Sequence, residues 1–182
     1  MWNESASRLS GGNDYLQYVS ARCSLGFVLT AVSPNGICSI LLGNTREDLD
    51  KAIRSEFPGR EPTYGGYGLE GIGAQTVNAV EIPRAHISMP LDLAGTAAEI
   101  RVWQVLLSVP AGDIITYEQI AQRLGAQHTP ETVNIACLAN RIAVAIPCHR
   151  AVVSRSDIGD YRWGVERKRA LLERELRLPV EL

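Results

Sequence analysis

Three helix starts, at Thr96, Thr116 and Thr129, constrain the second half of this 182-residue chain more than any other feature. Thr96 is followed three residues later by Glu99, and Thr116 by Gln119. In both, the threonine hydroxyl can accept from the third backbone N–H while the longer side chain reaches back to the cap. Thr129 precedes Pro130, whose missing N–H is harmless at the first helical position. Ile100, Trp103, Leu106 and Leu107 predict the apolar stripe of the first helix, which stops at Pro110-Ala111-Gly112. Ile120 and Leu124 face inward on the second, which Gly125 ends. Val133, Ala136 and Cys137 carry the third to Asn140. The second and third helices, joined by residues 125–128, have helix-turn-helix spacing. The same spacing also fits a corner of two helices that only pack together.

These helices lead into Ile146-Pro147-Cys148-His149-Arg150, preceded by the apolar run Ile142-Ala143-Val144-Ala145. The stretch reads as a buried strand. Pro147 removes a donor and biases Ile146 to an extended conformation. A thiol is a nucleophile only as thiolate, and an imidazole network can supply the base. A cysteine after an apolar run is ordinarily an inert core residue, but Pro-Cys-His-Arg as a unit is not ordinary. Gly164 to Arg177 predicts a last helix with Leu171, Leu172 and Leu176 inward.

The first half has another character. Alternating segments over residues 15–42, with Asn35-Gly36 as a hairpin signal, predict a small antiparallel sheet. Thr45, with Asp48 three residues on, caps a helix through Leu49, Ile53 and Phe57, ended by Pro58-Gly59. Residues 58–90 are rich in glycine and proline and read as linker, with a short element near 74–82. Met89 to Leu93 reads as a short extended piece before a second domain, giving boundaries of 1–90 and 91–182. Met1 to Asn13 is polar and reads as a frayed end.

Composition excludes several classes. A hydrophobic content of 46% and charged content of 21% describe an ordinary globular chain rather than a disordered one. A net charge of −2 gives no global attraction to nucleic acid or anionic membrane. Basic residues are nevertheless in excess over 141–177, which fits a basic C-terminal face or, more commonly, a solvated helix surface. Cys23, Cys38, Cys137 and Cys148 form no C-x-x-C pair, and the three histidines form no ligand set, so no metal and no cofactor is expected. Free thiols and the lack of a long apolar span imply a reducing cytoplasm and no membrane.

With these residues in place, the sequence resembles the O6-alkylguanine-DNA alkyltransferases, most of all the C-terminal half of the Ada type. The resemblance rests on Gly95-Thr96, Val102-Trp103-Gln104, Val109-Pro110-Ala111-Gly112, Thr116-Tyr117, Asn140, Ile146 to Arg150, Tyr161-Arg162-Trp163-Gly164, Lys168, Leu171-Leu172 and Glu175. It implies an α+β fold: a small N-terminal antiparallel-sheet domain, ribonuclease H-like, then a mainly helical domain with a helix-turn-helix. The implied reaction is direct reversal of DNA damage. An O6-alkylated guanine is flipped from duplex DNA through the minor groove, and its alkyl group passes irreversibly to a cysteine, once per molecule. The alternative it leaves is a non-catalytic damage-sensing module of the same fold.

The resemblance assigns roles as well. Cys148 would be the acceptor, His149 the base acting through a water from the opposite side of the strand, Glu175 its orienting carboxylate, and Asn140 the brace of the neighbouring turn. Tyr117 would crowd a backbone phosphate. Tyr161 would line the base pocket, the Arg162 amide would meet the guanine oxygen, and the carbonyls of Cys148 and Ala151 would accept from the guanine amine. Arg150 would hold the fold by an ion pair. Ala143 would leave space beside the pocket for groups larger than methyl. The implied partner is duplex DNA containing O6-alkylguanine, met by a monomer. One position departs: where the family carries an arginine that fills the place of the flipped base, this chain has Glu131, leaving Asn134 or His128 to fill that gap. The expectation is intact thiol chemistry with weakened duplex binding.

Overall fold

The computed structural model describes residues 15–66 and 68–177; the polar stretch at Met1 to Asn13 lies outside the described residues. Three strands, β1 (Gln17–Cys23), β2 (Gly26–Ser33) and β3 (Gly36–Gly43), form the expected antiparallel meander. Pro34-Asn35 makes its second turn, and Ser33 pairs with Gly36. Thr45 caps α1 (Arg46–Glu56), its hydroxyl accepting from the Asp48 amide at 3.1 Å. Leu49 and Ile53 are the buried positions of that helix, as their spacing predicts.

The glycine-rich stretch is a correction. Residues 58–90 are not a linker with a short element near 74–82. They hold β4 (Thr63–Tyr64), which joins β1 in parallel and makes the sheet mixed, in the order β3-β2-β1-β4. They also hold a thirteen-residue helix, α2 (Leu69–Glu81). Gly71 and Gly73 lie inside it. At Gly73 a Cβ would stand 2.9 Å from Val19 Cγ2, so that glycine marks close helix-on-sheet packing rather than a break.

The second half matches its capping signals closely. The chain forms α3 (Ala97–Leu107), β5 (Ile115–Thr116), α4 (Tyr117–Leu124) and α5 (Pro130–Ala139). All three threonine caps close reciprocally with their third residue, Glu99, Gln119 and Thr132. The Trp103 indole donates to the Ala136 carbonyl at 2.8 Å and ties α3 to α5. β6 (Ala151–Val152) pairs in parallel with β5, and α6 (Val165–Leu176) closes the fold. Leu171 and Leu172 of α6 are buried as expected, whereas Leu176 is 73% exposed, because the helix has passed the edge of the core.

The two halves share one core. β3 would be an open edge, but segments of the second half complete its backbone bonding. Ile37 exchanges bonds with Pro90 and Asp92, and Ile40 with Arg141 and Ala143, all between 2.8 and 3.0 Å. Gly36 makes the first of these possible: at φ 138° it admits the Pro90 carbonyl where any Cβ would collide. Arg162 bonds the Leu138 carbonyl and Glu56, Arg167 the Leu25 carbonyl and Asn44, and Arg174 the Val80 carbonyl and Ser24. Through Glu56, Leu25, Asn44, Val80 and Ser24 these guanidiniums hold the helical half to the sheet half.

Candidate active site

Cys148 sits where the sheet contact, α5 and α6 meet. The expected buried strand is instead one 3-10 turn, Cys148–Arg150, so successive side chains do not alternate between two faces. Both Cys148 and His149 are buried, at 1% and 2% exposure. The turn is preceded by a strained one. Val144 has φ 58°, a left-handed conformation that a β-branched residue rarely adopts. Asn140 holds that turn from inside: its Nδ2 donates to the Ile142 and Ile146 carbonyls at 3.3 and 3.2 Å, and its Oδ1 accepts from the Ile142 amide at 2.8 Å. The same Nδ2 lies 3.2 Å from Cys148 Sγ. Asn140 thus fixes the backbone that presents the thiol and donates to the thiol itself. Replacing it with alanine strands several buried backbone groups and is expected to cost roughly 2–4 kcal/mol in a denaturant titration. A loss below about 0.5 kcal/mol would show that the turn holds without it.

Ala143 is fully buried and bonded to β3. The rigid sheet contact therefore ends five residues before the thiol.

His149 and Glu175 form the second part of the site. His149 Nε2 lies 2.9 Å from Glu175 Oε1. An ionised carboxylate can only accept, so Nε2 carries the proton and Nδ1 keeps its lone pair. Nδ1 is buried with no hydrogen-bond partner among the described residues. Burial pushes the imidazole pKa below its usual value, against the opposing pull of Glu175. The ring is therefore neutral, with Nδ1 free to take a proton. Although its burial opposes ionisation, Glu175 is held down to about 2 by hydrogen bonds and charge from His149 and Arg150. Arg150 grips both carboxylate oxygens, at 2.8 to 3.1 Å, and the Val109 carbonyl. The imidazole and carboxylate back onto a cavity of about 820 Å³ between the two halves.

Burial drives the Cys148 thiol well above its usual pKa; contact with the Cys137 thiol pushes it further up, and Asn140 and Lys168 pull it down. Lys168, 0% exposed, donates to the Ala151 and Asp160 carbonyls at 2.6 and 2.9 Å and lies 3.5 Å from the Tyr117 hydroxyl. Burial lowers its pKa to about 8. It clamps both ends of the segment 151–160. That segment, with Tyr117 and Asn134, lines a second cavity of about 590 Å³.

The remaining sequence-derived residues fall as follows. Tyr117 is buried, its phenol pKa raised by that burial. Tyr161 packs edge-on against His149 and Trp163, and its hydroxyl is buried without a hydrogen-bond partner among the described residues. The Ala151 carbonyl is occupied by Lys168, and the Cys148 carbonyl accepts from the Ala151 amide that closes the 3-10 turn. The Arg162 side chain bonds the Leu138 carbonyl of α5 and Glu56 of the sheet half. Asn134, whose Oδ1 is buried without a hydrogen-bond partner among the described residues, lines the second cavity. Glu131 is exposed in the first turn of α5, its carboxyl pKa lowered by Thr129 and a backbone N–H, so it is a helix-start residue. Sequence reasoning missed Cys137, Val144 and Lys168 as parts of the site. Cys137 read as the apolar stripe of a helix, and nothing local marks Val144 or Lys168 as buried in these ways.

Residues 97–177 match the family model described as 6-O-methylguanine DNA methyltransferase, DNA binding domain. The chain is 36% identical over 168 residues to the bifunctional transcriptional activator/DNA repair enzyme Ada of Escherichia coli, covering 92% of this chain and 48% of the relative. It thus spans about half the length of that relative. It is 31% identical to a methylated-DNA–protein-cysteine methyltransferase of Candida albicans, covering 81% of this chain and 89% of the relative. Among solved structures, Mycobacterium tuberculosis OGT in complex with DNA superimposes with a TM-score of 0.73 at 28% identity, covering 90% of this chain and 96% of that one.

Proposed function

Since the chain belongs to the methylated-DNA–protein-cysteine methyltransferase family, we propose that it accepts an alkyl group from O6-alkylguanine in DNA onto Cys148, once per molecule. The observation that carries this reading is the buried set Cys148–Asn140 and His149–Glu175, with Nδ1 of a neutral imidazole left free. The thiol proton passes to Nδ1 through a bridging water. The thiolate sulfur then attacks the alkyl carbon, the carbon–O6 bond breaks, and the guanine leaves with the electron pair and regains a proton from the imidazolium. A thioether cannot reverse this step, so turnover stops at one. Glu175 stabilises the imidazolium, and Arg150 keeps Glu175 ionised.

A stacked base cannot bring its O6 substituent to a thiol that is 1% exposed, so the base must leave the helix. The second cavity, between Tyr117, Asn134 and the segment 151–160, is the entry we assign to it. For the base to seat, the Lys168 clamp on Ala151 and Asp160 must loosen, freeing the Ala151 carbonyl, which together with the Cys148 carbonyl then meets the guanine amine while the Arg162 amide meets its oxygen. In this reading α4 and α5 form a helix-turn-helix that approaches the minor groove as a monomer. The sheet half, residues 1–90, is a ribonuclease H-like domain that supports residues 91–182.

Incubation with excess duplex carrying one O6-methylguanine tests the reading. Lesion loss is expected to plateau at one equivalent per protein. Continued turnover beyond that, or no loss with folded and reduced protein, refutes it.

A further inference from the structure

Exposed apolar side chains gather at the mouth of the second cavity. Val153 and Val165, 49% and 41% exposed, line it, and Ile135, 62% exposed, follows Asn134 on its α5 wall. Such a concentration beside one opening marks a docking surface rather than scattered surface residues. We propose that Ile135 is the wedge that holds the duplex open: it enters the base stack beside the guanine that has moved into the cavity. This rests on the reading that a base leaves the duplex for that cavity.

The helix decides which side chain can do this. Val133, Ala136 and Cys137 turn α5 toward the core, which leaves Glu131, Thr132 and Ile135 on its outward face. A gap between base pairs is apolar above and below and edged by phosphates. Glu131 would lose its hydration there and meet like charge. The Thr132 hydroxyl is committed to the helix start, donating to the Thr129 carbonyl and accepting from the Thr129 amide, both at 2.9 Å. Asn134 stands half-buried on the cavity wall with its Oδ1 enclosed, and His128 precedes the cap. Ile135 has what the gap requires. It is apolar, and a β-branched residue in a helix holds essentially one rotamer, so little freedom is lost on insertion. Apolar side chains of this kind are wedged between base steps by proteins that bend DNA, where their contacts offset part of the cost of unstacking.

The whole rim lies within the residues matched by the DNA-binding family model, and it adjoins the proposed entry of the base. Its occupant is therefore a base stack rather than a second copy of this chain. 2-Aminopurine, whose fluorescence rises when it is unstacked, reports the wedge without any chemistry. It is placed next to a single O6-methylguanine in duplex DNA, and Cys148→Ala protein is added so that no methyl is transferred. Saturating protein is expected to raise the signal at least about threefold. With Ile135→Ala as well, the signal is expected to stay near that of the free duplex, and Ile135→Leu to restore it.

With Cys148 in place, Ile135→Ala is expected to slow methyl transfer from the duplex about tenfold. Transfer from a single-stranded oligonucleotide, where no paired stack has to be held open, should stay within about twofold. Methylation of Cys148 by iodomethane, in which the thiolate attacks carbon and iodide leaves, should not change, which separates the wedge from a fault in folding or in the thiol. Undiminished aminopurine signal and duplex transfer in Ile135→Ala, or equal losses on duplex and single strand, overturn the proposal. So does a dimer in sedimentation that Ile135→Ala dissociates, since the rim is then a contact between copies. If the aminopurine signal depends on Ile135 while no methyl leaves either oligonucleotide, the wedge stands and the reading of Cys148 as acceptor fails.

Discussion

Replacing Glu175 with glutamine is expected to be among the most damaging single changes in the protein, for stability and activity together. The carboxylate is 4% exposed and meets His149 at 2.9 Å and Arg150 at 2.8 to 3.1 Å. An amide leaves the Arg150 guanidinium, 12% exposed, without its counter-charge. Removing one partner of a buried pair typically costs roughly 3–5 kcal/mol. The melting temperature should fall on the order of 10 °C. Activity should fall further than stability explains. Glutamine no longer fixes the proton on Nε2 or stabilises an imidazolium, and loss of positioned base catalysis is worth about 10²–10⁴-fold.

The acid side of the stability curve gives a separate reading. Glu175 ionises at about 2 in the folded state against 4.5 ordinarily. A depressed carboxyl pKa contributes stability that is complete above about 4.5 and lost as pH falls towards 2. Between those limits the unmodified chain should lose on the order of 3 kcal/mol that the glutamine variant never had. Parallel curves for the two proteins would show that the carboxylate is not held as the structure shows.

The second large effect is expected at Glu131. In the first turn of α5 this carboxylate complements the helix start and is ionised at neutral pH. If α5 faces DNA, the same charge opposes the phosphates. Glu131→Arg removes an anion and adds a cation at one exposed point, at the expense of a slightly weaker helix start. Fluorescence anisotropy with duplex DNA at low salt should show about tenfold tighter binding, with a salt dependence steeper by about one phosphate contact. Equal affinities would mean that α5 does not approach the duplex. The rate of Cys148 methylation by a small electrophile should be unchanged, because Glu131 belongs to none of the bonds around the thiol.

How legible all this was depends on whether the information is local. The threonine caps at 96, 116 and 129 are local chemistry, and each helix begins where its cap is written. The Pro34-Asn35 turn is equally local. Gly71 and Gly73 mislead because their reason lies elsewhere in the chain: Val19, on the sheet, sets how close α2 must come. The same holds at the site. Cys148, His149 and Glu175 come from motif residues, and the structure brings the last two together across twenty-six positions. The strand assigned to residues 146–150 failed because Asn140 and the contact of β3 with residues 141–143 force a tight turn through Val144. Such tertiary constraint has no periodic signature. Lys168 is another case, since a lysine on an amphipathic helix ordinarily faces water, and only two carbonyls and a phenol from other segments keep this one inside.

The central claim is that one buried sulfur receives the alkyl group. The direct measurement is peptide mass spectrometry after exposure of the folded, reduced protein to duplex DNA with a single O6-methylguanine, alongside Cys148→Ala. The account predicts one added methyl on the peptide holding Cys148, and none on any peptide of the alanine variant. A methyl on another residue, or an unmodified Cys148 peptide while the lesion persists, contradicts it.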